Sequence, residues 1–309
     1  MREEILFRMK SPKRDDFKIR GFYFGSGKKS VAIVGPIRGD EIQQQYICSQ
    51  VVKALREMEN GIGGSIADDC EILVVPSVNH FSMNLERRFW AMDNTDINRM
   101  FPGYDQGETT QCIAAALFEN VKGYEYGIQL ASYYMKGNFI PHVRMMRTGY
   151  EDVENAKLFA NPYVYLHDVK PYDTTILNYN WQLWGTKAFS LYSGNTNTLN
   201  FKNADEAVWS ILRFLSKIGA IKAKIHHAYY STVITDEDLE VVHSNTAGIF
   251  CQKTAPSEYV KKGDTLAEIL DPYTGEKIST ITAPCDGIIF FSYNKPLVLE
   301  KSQLYKIIR

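Results

Sequence analysis

The run VAIVG at 31–35 is apolar and β-branched and stops at Gly35 and Pro36, as a buried strand does before a loop. From Glu41 to Met58 the period changes. Ile42, Tyr46, Ile47, Val51, Leu55 and Met58 recur near helical spacing, and GIGG at 61–64 ends the pattern. EILVVP at 71–76 then predicts a second buried strand. Strand, helix, strand in that order implies a parallel sheet with helical crossovers. Similar signals predict a helix at 108–122, a strand near 124–131, another strand in AFSLYSG at 188–194, and a helix from Asp205 to Gly219. The expectation for 1–225 is one α/β domain with a mostly parallel central sheet flanked by helices.

After His226 the texture shifts to short strand-like pieces separated by turn chemistry: TAGIF, VKKGD, LDPYTGE, APCDG. Residues 226–309 are therefore expected to form a separate all-β domain. No repeat of fixed period and no low-complexity segment interrupts either part.

The chain has 309 residues, 45% of them apolar and 23% charged, enough for one large domain with a smaller one and a sizeable core. A net charge of −1 with scattered lysines and arginines gives no basic field for a phosphate backbone, so nucleic acid is not an expected partner. No apolar run is long enough to span a bilayer, and MREEILFRMK lacks the apolar core of a signal peptide; no membrane partner is expected, and the cytoplasm is the expected compartment. Five cysteines, odd in number and far apart with no CxxC pair, read as reduced thiols.

The stretch that carries chemistry is Asp96-Ile97-Asn98-Arg99-Met100-Phe101-Pro102-Gly103. Alone, it could be a loop with a solvated arginine. Arg88 stands eight residues before Asp96, GPIRGDE at 35–41 follows the first strand, and PHVR occupies 141–144. Together these resemble the succinylglutamate desuccinylase/aspartoacylase family of the zinc carboxypeptidase superfamily, whose signature is D-L-N-R-x-F-P-G, and the resemblance covers nearly the whole chain. It implies a zinc-carboxypeptidase-like α/β domain and hydrolysis of amide bonds in N-acyl amino acids or small peptides. In that family a histidine and a glutamate of G-x-H-G-x-E and a later histidine hold one zinc, and a glutamate on a late strand is the general base.

Position by position, the resemblance puts Glu41 on the carboxylate ligand and Arg38 where the first histidine belongs. A guanidinium has no lone pair to give a metal. Gln129 falls on the second histidine, Gly127 on the aspartate two residues before it, and Tyr192 on the catalytic glutamate. A three-ligand zinc site cannot be built from Glu41 alone, so no cofactor is expected. His80, His142, His226 and His227 lack the spacing of a ligand pair and read as structural or surface histidines.

The resemblance also implies that Arg88, Asn98 and Arg99 face the carboxylate or carbonyl of a substrate, a task that suits a planar guanidinium fork. Arg38 is expected to replace the metal's charge and to pair with Glu41. VKKGDTLAEILDP and ITAPCDGIIFF resemble the biotinyl/lipoyl-like barrel-sandwich domain, but Lys277 lacks the flanking methionines of a carrier lysine.

Three readings follow. The first is a metal-free pseudoenzyme whose arginine-lined pocket takes a small carboxylate or N-acyl amino acid, acting as an oligomer or beside an active paralogous subunit. The second is an active hydrolase with an altered site, and the third an interaction protein that uses the fold as a scaffold.

Overall fold

Two strands that the apolar pattern does not announce open the chain: β1 (Arg2–Met9) and β2 (Phe17–Gly25) form an antiparallel pair. The structure is a computed structural model describing residues 1–309 apart from Pro12, Arg14 and Asn197. In chain order there follow β3 (Lys28–Val34), α1 (Ile42–Glu59), β4 (Cys70–Val75), α2 (Thr109–Val121), β5 (Tyr126–Ala131), β6 (His142–Arg147), β7 (Tyr163–Asp168), α3 (Leu177–Leu183), β8 (Lys187–Tyr192), α4 (Phe201–Lys217) and β9 (Thr232–Thr235). These nine strands form one sheet in the order β1-β2-β4-β3-β5-β8-β6-β7-β9. The central pairs β4–β3, β3–β5 and β5–β8 are parallel, as are β6–β7 and β7–β9, so the sheet is mostly parallel.

The continuous apolar run of β3 follows from burial on both faces. Val31 and Ile33 join Ile47, Val51 and Leu55 of α1 and Ile211, Phe214 and Leu215 of α4 on one side. Ala32 and Val34 join Ile113 and Leu117 of α2 and Leu177 and Trp181 of α3 on the other. Successive side chains point to opposite faces, so a strand between two helical layers needs apolar residues at every position. Helix α4 begins at Phe201 rather than at the expected Asp205. Asn200 caps it, its side chain accepting from the Asn203 amide at 3.1 Å, and Phe201 is exposed and so carries no core signal.

β9 lies beyond residue 225 and still completes the edge of the large sheet. From Leu239 onward the chain forms two small antiparallel sheets around a core that includes Leu266, Ile269, Ile289, Leu304 and Tyr305. Traffic also runs the other way, since Gly137–Phe139 leaves the α/β part to pair with Gly287–Tyr293. Tyr133, Phe139, Tyr165, Tyr192, Phe290 and Phe291 share one apolar cluster at this junction. The five cysteines are all unpaired. Among the described residues, no helix is long and apolar enough to cross a membrane.

Candidate functional site

β3, β5 and β8 run parallel and end together, so the loops after Val34, Ala131 and Tyr192 converge at one edge of the sheet, where open α/β sheets place their ligands. A cavity of about 240 Å³ opens there. Its walls include Arg38, Asn98, Arg99, Ser132, Arg144, His167, Tyr192 and Lys306. A wider depression of about 620 Å³ lies elsewhere on the surface, between Lys18, Arg20 and Phe81. It has none of the signature residues.

Arg38 points inward and is 6% exposed. Its main partner is Asp96, the first residue of the DINR signature. Nε stands 3.2 Å from both carboxylate oxygens, and Nη2 donates to Oδ2 at 2.8 Å. The expected pairing with Glu41 is present but secondary, Nη1 lying 3.7 Å from Oε1. Asp96 also accepts from the Asn98 amide at 3.1 Å and so caps the turn Ile97–Arg99. Burial alone would lower the Arg38 pKa; Asp96 and Glu41 outweigh it and raise it.

Glu41 is buried, which pushes its pKa up against the pull of Arg38 and Arg88. It occupies the N-cap of α1 without capping it, because its oxygens are engaged elsewhere. The Ser132 hydroxyl donates to Oε1 at 2.7 Å, and the Arg38 amide donates to Oε2 at 3.3 Å.

Gln129 on β5 donates from Nε2 to the Asn98 side-chain oxygen at 3.1 Å. Gly127, two residues earlier, lies under the ring of Trp181; a Cβ there would stand 2.7 Å from it. Tyr192 ends β8 and accepts a hydrogen bond from Arg144 Nη1 at 3.1 Å. Beneath it lies His142, ring on ring at 4.7 Å. Both His142 nitrogens are occupied, Nδ1 by the Ile140 carbonyl at 2.7 Å and Nε2 by the Tyr133 hydroxyl at 3.4 Å. Burial lowers its pKa to about 3. His80 stacks on Phe17 at 4.8 Å. Among the described residues, no three His, Cys, Asp or Glu side chains are grouped so as to hold a metal ion.

The three residues expected to face a substrate are placed differently from one another. Asn98 and Arg99 line the cavity. Arg99 donates to the Tyr172 carbonyl and lies 3.4 Å from Asp173. Arg88 is not part of the wall; it holds Asp40 at 3.0 Å and the Tyr133 carbonyl at 2.9 Å. Lys136 pairs with the same Asp40, so this ion cluster fastens the loop after β3 to the loop after β5. The rest of the signature is structural. Phe101 is buried, and Gly103, at φ 94°, packs where a Cβ would meet the Ala115 backbone at 2.1 Å.

Further wall groups lie outside the residues expected at the site. Arg144 was within sight, as the last residue of PHVR. Lys306, on the final strand Gln303–Ile308, had no local signal, because only the packing of the small sheets brings it here. Lys306 lies over the rings of Tyr133 and Tyr165 at 5.2 and 5.8 Å, and Arg144 lies over Tyr165 and Tyr192 at 5.7 and 5.9 Å. Neither cation has an ion-pair partner among the described residues, and Arg144 Nε finds no hydrogen bond. Burial and the charge of Arg144 lower the Lys306 pKa to about 8. His167 stands between Asp236 at 2.9 Å and Asp173 at 3.5 Å. Burial favours the protonated forms of both carboxylates, but hydrogen bonds outweigh it and lower their pKa values. Ser132 also belongs to the wall.

Residues 27–216 match the sequence model of the succinylglutamate desuccinylase/aspartoacylase catalytic domain. No curated protein matches the sequence significantly. Among solved structures, a succinylglutamate desuccinylase from Silicibacter sp. is 16% identical with a TM-score of 0.83, over 100% of this chain and 95% of that one. A putative family protein from Shewanella amazonensis is 17% identical with a TM-score of 0.78, over 99% and 98%. The product-bound ectoine utilization protein EutE (DoeB) from Ruegeria pomeroyi is 17% identical with a TM-score of 0.78, over 94% and 89%. At these identities the structural likeness is one of fold.

Proposed function

Since the chain belongs to the succinylglutamate desuccinylase/aspartoacylase family, we propose that it keeps the family's pocket without the family's zinc and binds a small carboxylate or N-acyl amino acid there. One observation carries this reading: the Arg38 guanidinium lies between Asp96 and Glu41, where the resemblance puts a metal ligand. The donor set does not fit zinc. Arg38 has no lone pair, Glu41 is held by Ser132 and the Arg38 amide, and Gln129 turns its amide nitrogen to Asn98. The guanidinium then supplies a fixed positive charge that cannot dissociate and cannot ligate a water and lower its pKa as a zinc ion does.

On this reading the chain is a pseudoenzyme, a binding or regulatory subunit that acts beside an active relative. Its C-terminal sheets read as a barrel-sandwich domain whose last strand closes the pocket. Metal analysis of the purified protein, with calorimetric titration of N-acetylaspartate, tests it. The expected result is substoichiometric zinc and measurable binding. One tightly held zinc per chain with chelator-sensitive deacylation would overturn it.

A second reading, hydrolysis of the amide bond of an N-acyl amino acid through an altered site, draws on Ser132 and Glu41. On this reading the Ser132 hydroxyl, 2.7 Å from Glu41, passes its proton to that carboxylate while its oxygen attacks the acyl carbon. Glu41 returns the proton to the nitrogen as the C–N bond breaks and the amine leaves, and a water that gives its proton to Glu41 then hydrolyses the ester and restores the hydroxyl. Chelator-resistant deacylase activity abolished in Ser132→Ala is its signature.

A further inference from the structure

The carboxylate-pocket reading leaves open which groups hold the anion, and this inference rests on that reading. We propose that an oxyanion of the ligand sits between Arg144 and Lys306, so that the α/β part and the C-terminal sheets each contribute half of the seat.

Most of the arginines near the site are already paired. Arg38 is taken by Asp96, Arg88 by Asp40, and Arg99 by Tyr172 and Asp173. Arg144 and Lys306 have no carboxylate within ion-pair distance among the described residues, Asp173 and Asp236 acting on them only from farther off, and both stand at the same wall over the shared ring of Tyr165. Two like charges shielded from water are unfavourable without a counterion in contact, and ring faces and the more distant Asp173 and Asp236 offset only part of that. An anion entering the cavity matches both and completes the hydrogen bonding of Arg144 Nε. Bidentate carboxylate recognition suits a guanidinium, and an ammonium adds a second, adjustable donor. At about 240 Å³ the space is below the usual range for drug-sized ligands, so the class is a small organic acid. Asn98 and Ser132 remain at the wall for the uncharged part of the molecule. A carboxylate and a phosphate share this oxyanion chemistry.

The test is isothermal titration of N-acetylaspartate and, separately, inorganic phosphate into the full chain and its Arg144→Gln, Lys306→Gln, Lys306→Arg and Arg147→Gln variants. Whichever probe binds wild type identifies the source of the oxyanion. Arg144→Gln and Lys306→Gln are expected to weaken that probe at least tenfold. Lys306→Arg keeps the charge and should stay within about threefold, and exposed Arg147→Gln should match wild type. If R144Q and K306Q bind as tightly as wild type, the seat is elsewhere and the carboxylate-pocket reading survives. If wild type binds neither probe, that reading itself fails.

A wild-type measurement guards against variants that do not fold. The charged and titratable groups around Lys306 include Arg144, Tyr133, Tyr165, Tyr192, His142, His167, Asp173 and Asp236. Titration at pH 8.5 in two buffers of different ionisation heat is expected to show net proton uptake on binding. No uptake would overturn the role of Lys306.

Discussion

Arg38 grips Asp96 from two nitrogens, Nε at 3.2 Å and Nη2 at 2.8 Å, within the buried wall of the cavity. Asp96 at the same time caps the Ile97–Arg99 turn. The ion pair therefore ties the loop after β3 to the signature that places Asn98 and Arg99, and the site's geometry depends on it.

Removing one member of such a pair leaves an uncompensated charge in a place without water, which typically costs about 3–5 kcal/mol. Arg38→Met should lower stability by that order in urea denaturation. Arg147→Met, which breaks an exposed pair with Asp168, should cost about 0–1 kcal/mol. Equal losses for the two would refute the buried-pair account.

Added zinc should leave the melting temperature unchanged. A ligand that binds only the native state at 100 times its Kd adds about 2.7 kcal/mol of stability. A zinc-dependent rise in melting temperature, reversed by a chelator, would mean that the residues around Glu41 do hold the ion.

Tyr192→Phe keeps the ring over His142 and removes the oxygen that accepts from Arg144. Leaving a charged donor unmatched should cost about 1–3 kcal/mol. If Arg144 seats the ligand, saturating N-acetylaspartate should recover part of that loss in the same melting experiment; a ligand-independent loss would argue that Tyr192 and not the ligand is its natural partner.

Lys306 gives stability a pH signature. Its folded pKa of about 8 lies below the unfolded value, about 10.4, so between the two the unfolded chain binds more protons. Stability of the ligand-free protein should therefore rise from about pH 8 toward pH 10. Buried tyrosines with raised pKa values, such as Tyr133 and Tyr165, oppose this at the alkaline end, so the comparison is with Lys306→Met. The wild-type minus variant difference should grow across that window; a flat difference would show that Lys306 is not held in a desolvated site.

Much of the α/β architecture was legible because it rests on local pattern. The runs at 31–34 and 72–75 are apolar at every position, and only a strand covered on both faces needs that. β1 escaped because it lies at the sheet edge with mostly exposed or half-exposed positions, leaving no periodic apolar set to read. Arg38 was legible as an inward charge, but its partner was not: Asp96 lies 58 residues away, and its identity as part of a signature drew attention toward a ligand rather than toward another side chain. Arg88 shows the converse, an arginine from the family's substrate set that is spent on Asp40. Lys306 was beyond reach, because nothing in QLYKIIR distinguishes a cavity lysine from a solvated one until two separate sheets are packed together.

Gly127 is pressed against the Trp181 ring. The family has an aspartate at that position, and here even a methyl group would strike the indole at 2.7 Å. The indole is itself anchored, its Nε1 donating to the Val121 carbonyl at 3.1 Å. On the metal-free reading, changing Gln129 back to histidine would leave the new ligand without its neighbouring carboxylate, and restoring that carboxylate would require the tryptophan to be dismantled first. On that reading the packing acts as a ratchet: substitutions at the wall can change what the pocket holds, whereas a carboxylate at position 127 cannot be fitted without rebuilding the core around Trp181.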